Sequence, residues 1–185
     1  MTMNIIRIED CWESDWIALK TILYQNDRGD ILRWDYVERA GGRQDSVIVI
    51  PRFKESGDLI MIREYRVIFD RYVIGFPAGL IAEGESAEAC ALRELKEETG
   101  YTGKVVCVSP LVTLHSALIK DLAYCVLVEL EEGATPELQR LEPTEKIRVY
   151  RVKRDEINSF FEQARAKGDI IGGAPWMVLT AIKYL

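Results

Sequence analysis

Residues 75–101, GFPAGLIAEGESAEACALRELKEETGY, decide how this chain is read. Glu83, Glu85, Glu88, Glu94, Glu97 and Glu98 crowd into its middle and end, with only Arg93 and Lys96 against them. Ser86 is a good helix N-cap, Glu88 suits the first turn, and Gly100 suits the position after the last turn. The spacing therefore predicts a helix over 87–99. At ~100° per residue, Glu94, Glu97 and Glu98 stand at i, i+3 and i+4 and share one quadrant. Leu92 and Leu95 point away and are expected to anchor the helix. Arg93 sits at one edge, within reach of Glu97 or Glu85. Like charges at this spacing repel, so the face is either simply solvated or holds something cationic. Three carboxylates on one face suit a hard cation such as Mg²⁺, which binds phosphates, polarises a phosphoryl oxygen and acidifies a bound water. Pro77-Ala78-Gly79 ends the preceding strand, and Gly79 permits a turn that a side chain would block.

Outward from this stretch, the totals agree with a cluster of carboxylates awaiting metal ions, which would add to the negative count. The chain has 185 residues, 48% of them apolar, enough for one cored domain with a small arm. A net charge of -6 argues against a general nucleic-acid binder. Cys11, Cys90, Cys107 and Cys125 form no CxxC pair, and their apolar neighbours suggest buried thiols in a reducing compartment. No signal peptide or run of membrane-spanning length is visible, so a cytoplasmic protein with no membrane partner is expected. The single histidine, His115, excludes a multi-histidine metal site.

Strands are expected at 16–24 and 32–39, forming a hairpin about the turn Asn26–Asp30, then a flexible connection at 40–45. Further strands are expected at 46–51, 59–65, 72–76, 104–114, 122–130 and 146–152. Residues 131–144 read as a loop, and 154–167 and 174–185 as helices. Strands dominate, with the helices spread among them, which points to a mixed α/β (α+β) sandwich and not a doubly wound sheet.

Gly79, Glu85, Arg93, Glu94, Leu95, Glu97, Glu98 and Gly100 fall on the pattern G-x5-E-x7-R-E-U-x-E-E-x-G-U, with U a bulky apolar residue. This resembles the Nudix signature, with Tyr101 in place of the final aliphatic. The resemblance implies a mixed β-sheet between helices, and Glu94, Glu97, Glu98 and the Ala78 carbonyl as ligands of Mg²⁺, with Mn²⁺ as the other candidate. Gly79, Glu85, Arg93 and Gly100 would then be structural, Glu85 and Arg93 tying loop to helix. REYR (63–66), FPAGLI (76–81) and EETGY (97–101) resemble the ADP-ribose and ADP-sugar pyrophosphatases. That subfamily implies an N-terminal hairpin arm, here 1–45 ahead of a hydrolase domain at 46–185, whose aromatics sandwich adenine partly across a homodimer interface.

Trp16 and Trp34 match those aromatics, and Arg39 and Arg66 match arginines near the phosphates. Trp12 and Trp176 have no such match and read as packing residues. Glu145, just before the strand at 146–152, is the expected catalytic base or water-orienting group, with Glu142 the other candidate. Gly75 and Ser116-Ala117 depart from the subfamily, which often has glutamate and Pro-Gly there. The implied activity is hydrolysis of ADP-ribose to AMP and ribose 5-phosphate. The alternatives are GDP-mannose or another nucleotide sugar, a non-catalytic nucleotide-sugar sensor, and a hydrolase of oxidised nucleoside triphosphates.

Overall fold

The computed structural model describes residues 3–42 and 45–184. Residues 43–44 of the expected connection, and residue 185 at the expected end of the last helix, lie outside the described residues. The chain divides into two compact units, Met1–Ser46 with Leu111–Ala123, and Val47–Pro110 with Tyr124–Leu185. Residues 111–123 thus go with the arm, which a simple break after residue 45 does not capture.

The first unit holds a three-stranded antiparallel sheet of β1 (Asn4–Glu13), β2 (Ile17–Gln25) and β3 (Ile31–Arg39). The hairpin register runs from Ile17 opposite Arg39 to Gln25 opposite Ile31. Its turn closes on Asn26, whose Oδ1 accepts the amides of Arg28 and Asp30, with Gly29 at φ +88°. β1 was not foreseen. Register shifts between Ile5 and Arg7 and between Asp10 and Trp12 break its period-two alternation. Nearly all of it is exposed, so no buried face stamps a pattern on the sequence. Segment 111–122 joins this unit through Val37 N–H to Leu118 O and Lys120 N–H to Val37 O, both 2.8 Å. Glu38, buried, accepts from Lys20 and Lys120 at 2.8 Å each.

The second unit contains β4 (Ser46–Phe53), β5 (Leu59–Arg66), β6 (Arg71–Gly75), β7 (Ala78–Leu80), α1 (Ala87–Thr99), β8 (Lys104–Val108) and β9 (Ala123–Leu130). It continues with β10 (Ile147–Val152), α2 (Ile157–Ala166), β11 (Ile170–Ile171) and α3 (Gly173–Tyr184). The sheet runs β11-β6-β5-β4-β9-β8, with β10 also on β5 and β7 on β4. It is mixed, because β11 is parallel to β6 while β6 and β10 are antiparallel to β5. The strand expected over 104–114 stops at Val108, two residues before Pro110, which has no amide for a ladder.

Alternation on β5 builds both layers. Ile60 packs with Cys90, Ala91 and Leu95 of α1, together with Val47, Val49, Val126 and Val128. Leu59 and Met61 face Ile157 and Phe161 of α2 and Leu179 of α3. Each fully buried side chain of this size contributes roughly 1.5–3 kcal/mol. Leu92 is not an anchor; it is exposed, and α1 buries Cys90, Ala91, Leu95, Glu98 and Thr99 instead. Of the cysteines only Cys90 is buried, while Cys11 and Cys107 are exposed. Trp12 is exposed, contrary to a packing role, while Trp176, though also exposed, sets its ring centroid 6.5 Å from that of Phe161. No helix among the described residues is long and apolar enough to cross a membrane.

Candidate active site

Helix α1 begins where Ser86 Oγ accepts the Ala89 amide at 3.2 Å and ends at Gly100, φ +75°, whose amide reaches Lys96 O. Gly100 is needed twice over, since a Cβ there would lie 2.0 Å from Glu137 O. The strand β7 runs directly against the helix. A Cβ on Gly79 would lie 1.8 Å from Glu94 Oε1, so the glycine serves a close approach and not the turn expected of it. This contact seats the Glu94 carboxyl on the backbone of β7.

Arg93 binds the loop and the helix together. Its Nε and Nη2 donate to the two oxygens of Glu85 at 2.9 Å each, and Nη2 also reaches Leu80 O at 3.1 Å. Glu85 in turn accepts the Ala82 amide at 3.0 Å. The guanidinium, helped by that amide, pulls the Glu85 carboxyl down to about 2. Arg93 Nη1 meanwhile contacts Glu94 Oε1 at 2.7 Å and Glu97 Oε2 at 3.1 Å.

Ala78, Gly79, Leu80, Arg93, Glu94, Glu97, Glu98, Arg140, Glu142 and Glu145 line one cleft of about 280 Å³. The loop expected at 131–144 reaches it by capping the end of α1. Glu137 N–H donates to Gly100 O and Arg140 N–H to Glu97 O, both 2.8 Å, satisfying carbonyls the helix leaves open. Beyond it, Glu145 Oε2 accepts the Glu142 amide at 2.8 Å, closing a turn that keeps Glu145 half-buried and Glu142 exposed.

Glu98 differs from every other member. It is 4% exposed, and its Oε2 is buried with no hydrogen-bond partner. Burial, then the charges of Glu94, Glu64 and Glu145, push its carboxyl up to about 9, against the pull of the Ala78 amide. Burial also raises Glu94 above the usual carboxylate range. An orphaned, desolvated carboxylate oxygen beside further carboxylates is a donor set suited to a hard cation. As the side chains lie, Arg93 holds Glu94 and Glu97, and no three His, Cys, Asp or Glu among the described residues converge on one point. Arg93 engages one oxygen of each glutamate, Glu94 Oε1 and Glu97 Oε2.

Two residues escaped the sequence reading, Arg140 in the lining of the cleft and Glu64, which acts on its carboxylates by charge. Arg140 is a lone cation ahead of Glu142 and Glu145, a signal available but not used. Glu64 lies on β5 in phase with Ile60 and Ile62, and it is 7% exposed. A carboxylate continuing an apolar strand face was the signal for it. Burial raises its carboxyl, with Arg66 at 2.7 Å opposing and Glu145 adding.

The arm residues form a separate group. Trp34 Nε1 donates to Ala117 O at 2.8 Å, and Trp34 with Ile22, Tyr36, Thr113 and residues 116–122 lines a pocket of about 330 Å³. Arg39 is half-buried at the end of β3, and His115 is exposed. Trp16 lies just outside β2 in a bend, 79% exposed. Trp34 pairs with Ile22, whereas Trp16 immediately precedes the Ile17–Arg39 rung. At 3.2–3.4 Å per residue the two tryptophans are ~20 Å apart along the ladder. One chain's pair cannot close on both faces of a single base.

A Nudix domain model matches residues 42–172, which include the whole acidic helix and its loops. The chain belongs to the Nudix family. Among its relatives, a putative nudix hydrolase 2 of Caenorhabditis elegans is 34% identical over 82% of this chain and 73% of its own length. The ADP-ribose pyrophosphatase of Saccharomyces cerevisiae is 31% identical over 79% of this chain and 68% of its own. The ADP-sugar pyrophosphatase of Mus musculus is 36% identical over 64% of this chain and 57% of its own. A crystal structure of an ADP compounds hydrolase superposes with a TM-score of 0.68 at 25% identity, covering 88% of this chain and 84% of that one. This Nudix hydrolase thus shares its fold with a hydrolase of ADP compounds.

Proposed function

We propose that this chain hydrolyses the pyrophosphate bond of a nucleoside diphosphate sugar, ADP-ribose foremost, releasing AMP and ribose 5-phosphate. The observation that carries the reading is Glu98, buried with an unmet oxygen in a cleft it shares with Glu94, Glu97 and Glu145. Glu94, Glu97 and Glu98, with the Ala78 carbonyl, would hold Mg²⁺, or Mn²⁺ in its place. When bound, such ions neutralise phosphate charge and acidify water. The chain's own residues supply the rest. Gly79 lets Glu94 sit against β7. Glu85 holds Arg93 so that the helix keeps its glutamates facing the cleft. Arg66 and Arg140 carry the guanidinium forks suited to phosphate oxygens. Glu145 is placed to orient the attacking water and take its proton. It is favoured over Glu142 because it is half-buried and its charge reaches Glu64, Glu94 and Glu98.

For the nucleoside we assign Trp16, Trp34 and Arg39. The ~20 Å ladder separation supports a homodimer in which one copy lends Trp16 and the other Trp34. The exposed apolar residues of the arm, Ile5, Ile8, Ile31 and Leu32 among them, support the same pairing. The reading places the enzyme in the cytoplasm, where thiols such as Cys11 and Cys107 stay reduced.

The test is product analysis with Mg²⁺ over ADP-ribose, ADP-glucose, GDP-mannose, NADH, dinucleoside polyphosphates and an oxidised nucleoside triphosphate. AMP and ribose 5-phosphate from ADP-ribose are expected. Preference for GDP-mannose or the triphosphate would replace the substrate. Binding of ADP-ribose with no release of AMP would make the protein a sensor.

A further inference from the structure

We propose that Glu64 is a positioning residue for Arg66, giving that guanidinium its own buried counter-ion so that it clamps phosphate and stays off the metal-binding glutamates. The inference rests on the pyrophosphatase reading above. Glu64 sits mid-sheet, flanked by Val73 on β6 and Ile147 on β10. Its side chain is 9% exposed, while that of Arg66 is 51% exposed, and they meet at 2.7 Å. The two residues are i and i+2 on one strand, so they rise from the same face with a short, stiff tether. The neighbouring charges explain why a tether is needed. Glu98 and Glu145 both lie close enough to act on Glu64 electrostatically. An arginine whose counter-ion leaves an Nη within reach of such carboxylates is drawn onto them. Arg93 shows the outcome, with Nη1 on Glu94 and Glu97. A second arginine captured in that way would compete with any cation for Glu98 or Glu145. Held by Glu64 at one Nη, Arg66 keeps its remaining N–H groups free of the cleft's glutamates and open to a diphosphate oxygen.

The experiment is a double-mutant cycle on the full chain with Glu64→Gln and Arg66→Ala, measuring ADP-ribose hydrolysis at saturating Mg²⁺. Glu64→Gln should raise KM about tenfold, the scale of one charge-assisted hydrogen bond, and change kcat by less than about threefold. In the Arg66→Ala background the same change should add less than about twofold, because its target is gone. An equal rise in both backgrounds overturns the proposal. Glu64→Gln should also raise the half-saturating Mg²⁺ concentration, as the released Arg66 falls onto Glu98 or Glu145; a rise that persists in the Arg66→Ala background overturns the proposal, since Glu64 would then belong to the metal set. Should Glu64→Gln not fold, Glu64→Asp, one methylene shorter, is expected to give a smaller loss, again confined to KM. A wild type inactive on every nucleotide tried would refute the pyrophosphatase reading. The pair is then read without substrate, by phenylglyoxal labelling of Arg66 followed by mass spectrometry. Several-fold faster labelling in Glu64→Gln supports the tether, and equal rates refute it.

Discussion

Glu38 in the arm sheet and Glu98 in the acidic helix are both sealed from water, at 9% and 4% exposure. Their surroundings are opposite. Glu38 has two ammonium groups at 2.8 Å, which hold its carboxyl below the usual range. Glu98 has no cation, one oxygen has no partner at all, and its carboxyl is pushed up to about 9. The other buried acids among the described residues, Asp58, Glu64 and Asp169, hold Arg151, Arg66 and Arg63. Burial of a carboxylate is therefore routine in this fold, and leaving one unpaired is the exception. An unmet buried polar group costs about 1–3 kcal/mol, which is expected where a site awaits a charged ligand.

Substituting the two glutamates is the direct way to break this contrast. Glu98→Gln should lower metal-dependent turnover by more than about a hundredfold, beyond what loss of a metal's outer-shell partners causes. Full turnover would end the metal assignment. Glu38→Gln should instead leave Lys20 and Lys120 facing a neutral group and cost about 1.5–3 kcal/mol in denaturant unfolding. Unchanged stability would show that the lysines are content in water. The smallest effect sharpens the comparison through pH. Folded Glu98 keeps its proton to about 9, whereas an unfolded carboxyl loses it near 4.5. Between those values the folded state binds the extra proton, so metal-free stability falls as pH rises. Thermal melts with chelator from pH 5 to 9 should show this slope in wild type and a flatter one in Glu98→Gln. Glu38 contributes with the opposite sign. Its lowered carboxyl stabilises above the ordinary value and loses that contribution as the solution is acidified.

Helix α1 was readable because local rules fix it. Ser86, Gly100 and the i, i+3, i+4 spacing of Glu94, Glu97 and Glu98 need no partner to be interpreted. β1 was unreadable because two register shifts scramble its alternation and no core sits beneath it. Leu92 misled for a related reason, since Glu98 takes the buried place expected for an apolar side chain. Glu64 continues the apolar face of Ile60 and Ile62, a sign the strand itself carries, and β6 and β10 on either side complete its burial. The tryptophans fall between these cases. Trp16 is about twelve residues before the turn at Arg28 and Trp34 about six after it, so a hairpin register already separates them.

In the proposed homodimer, that separation would make catalysis a property of pairs of chains. If each base lies between Trp16 of one copy and Trp34 of the other, two crippled chains repair each other. In a mixed dimer of Trp16→Ala and Trp34→Ala subunits, one site has lost both rings and the other has kept both. Equal mixing of the two inactive proteins should then restore about a quarter of wild-type activity by random two-fold pairing. Dilution should erase the gain, visible as a rate that falls faster than enzyme concentration.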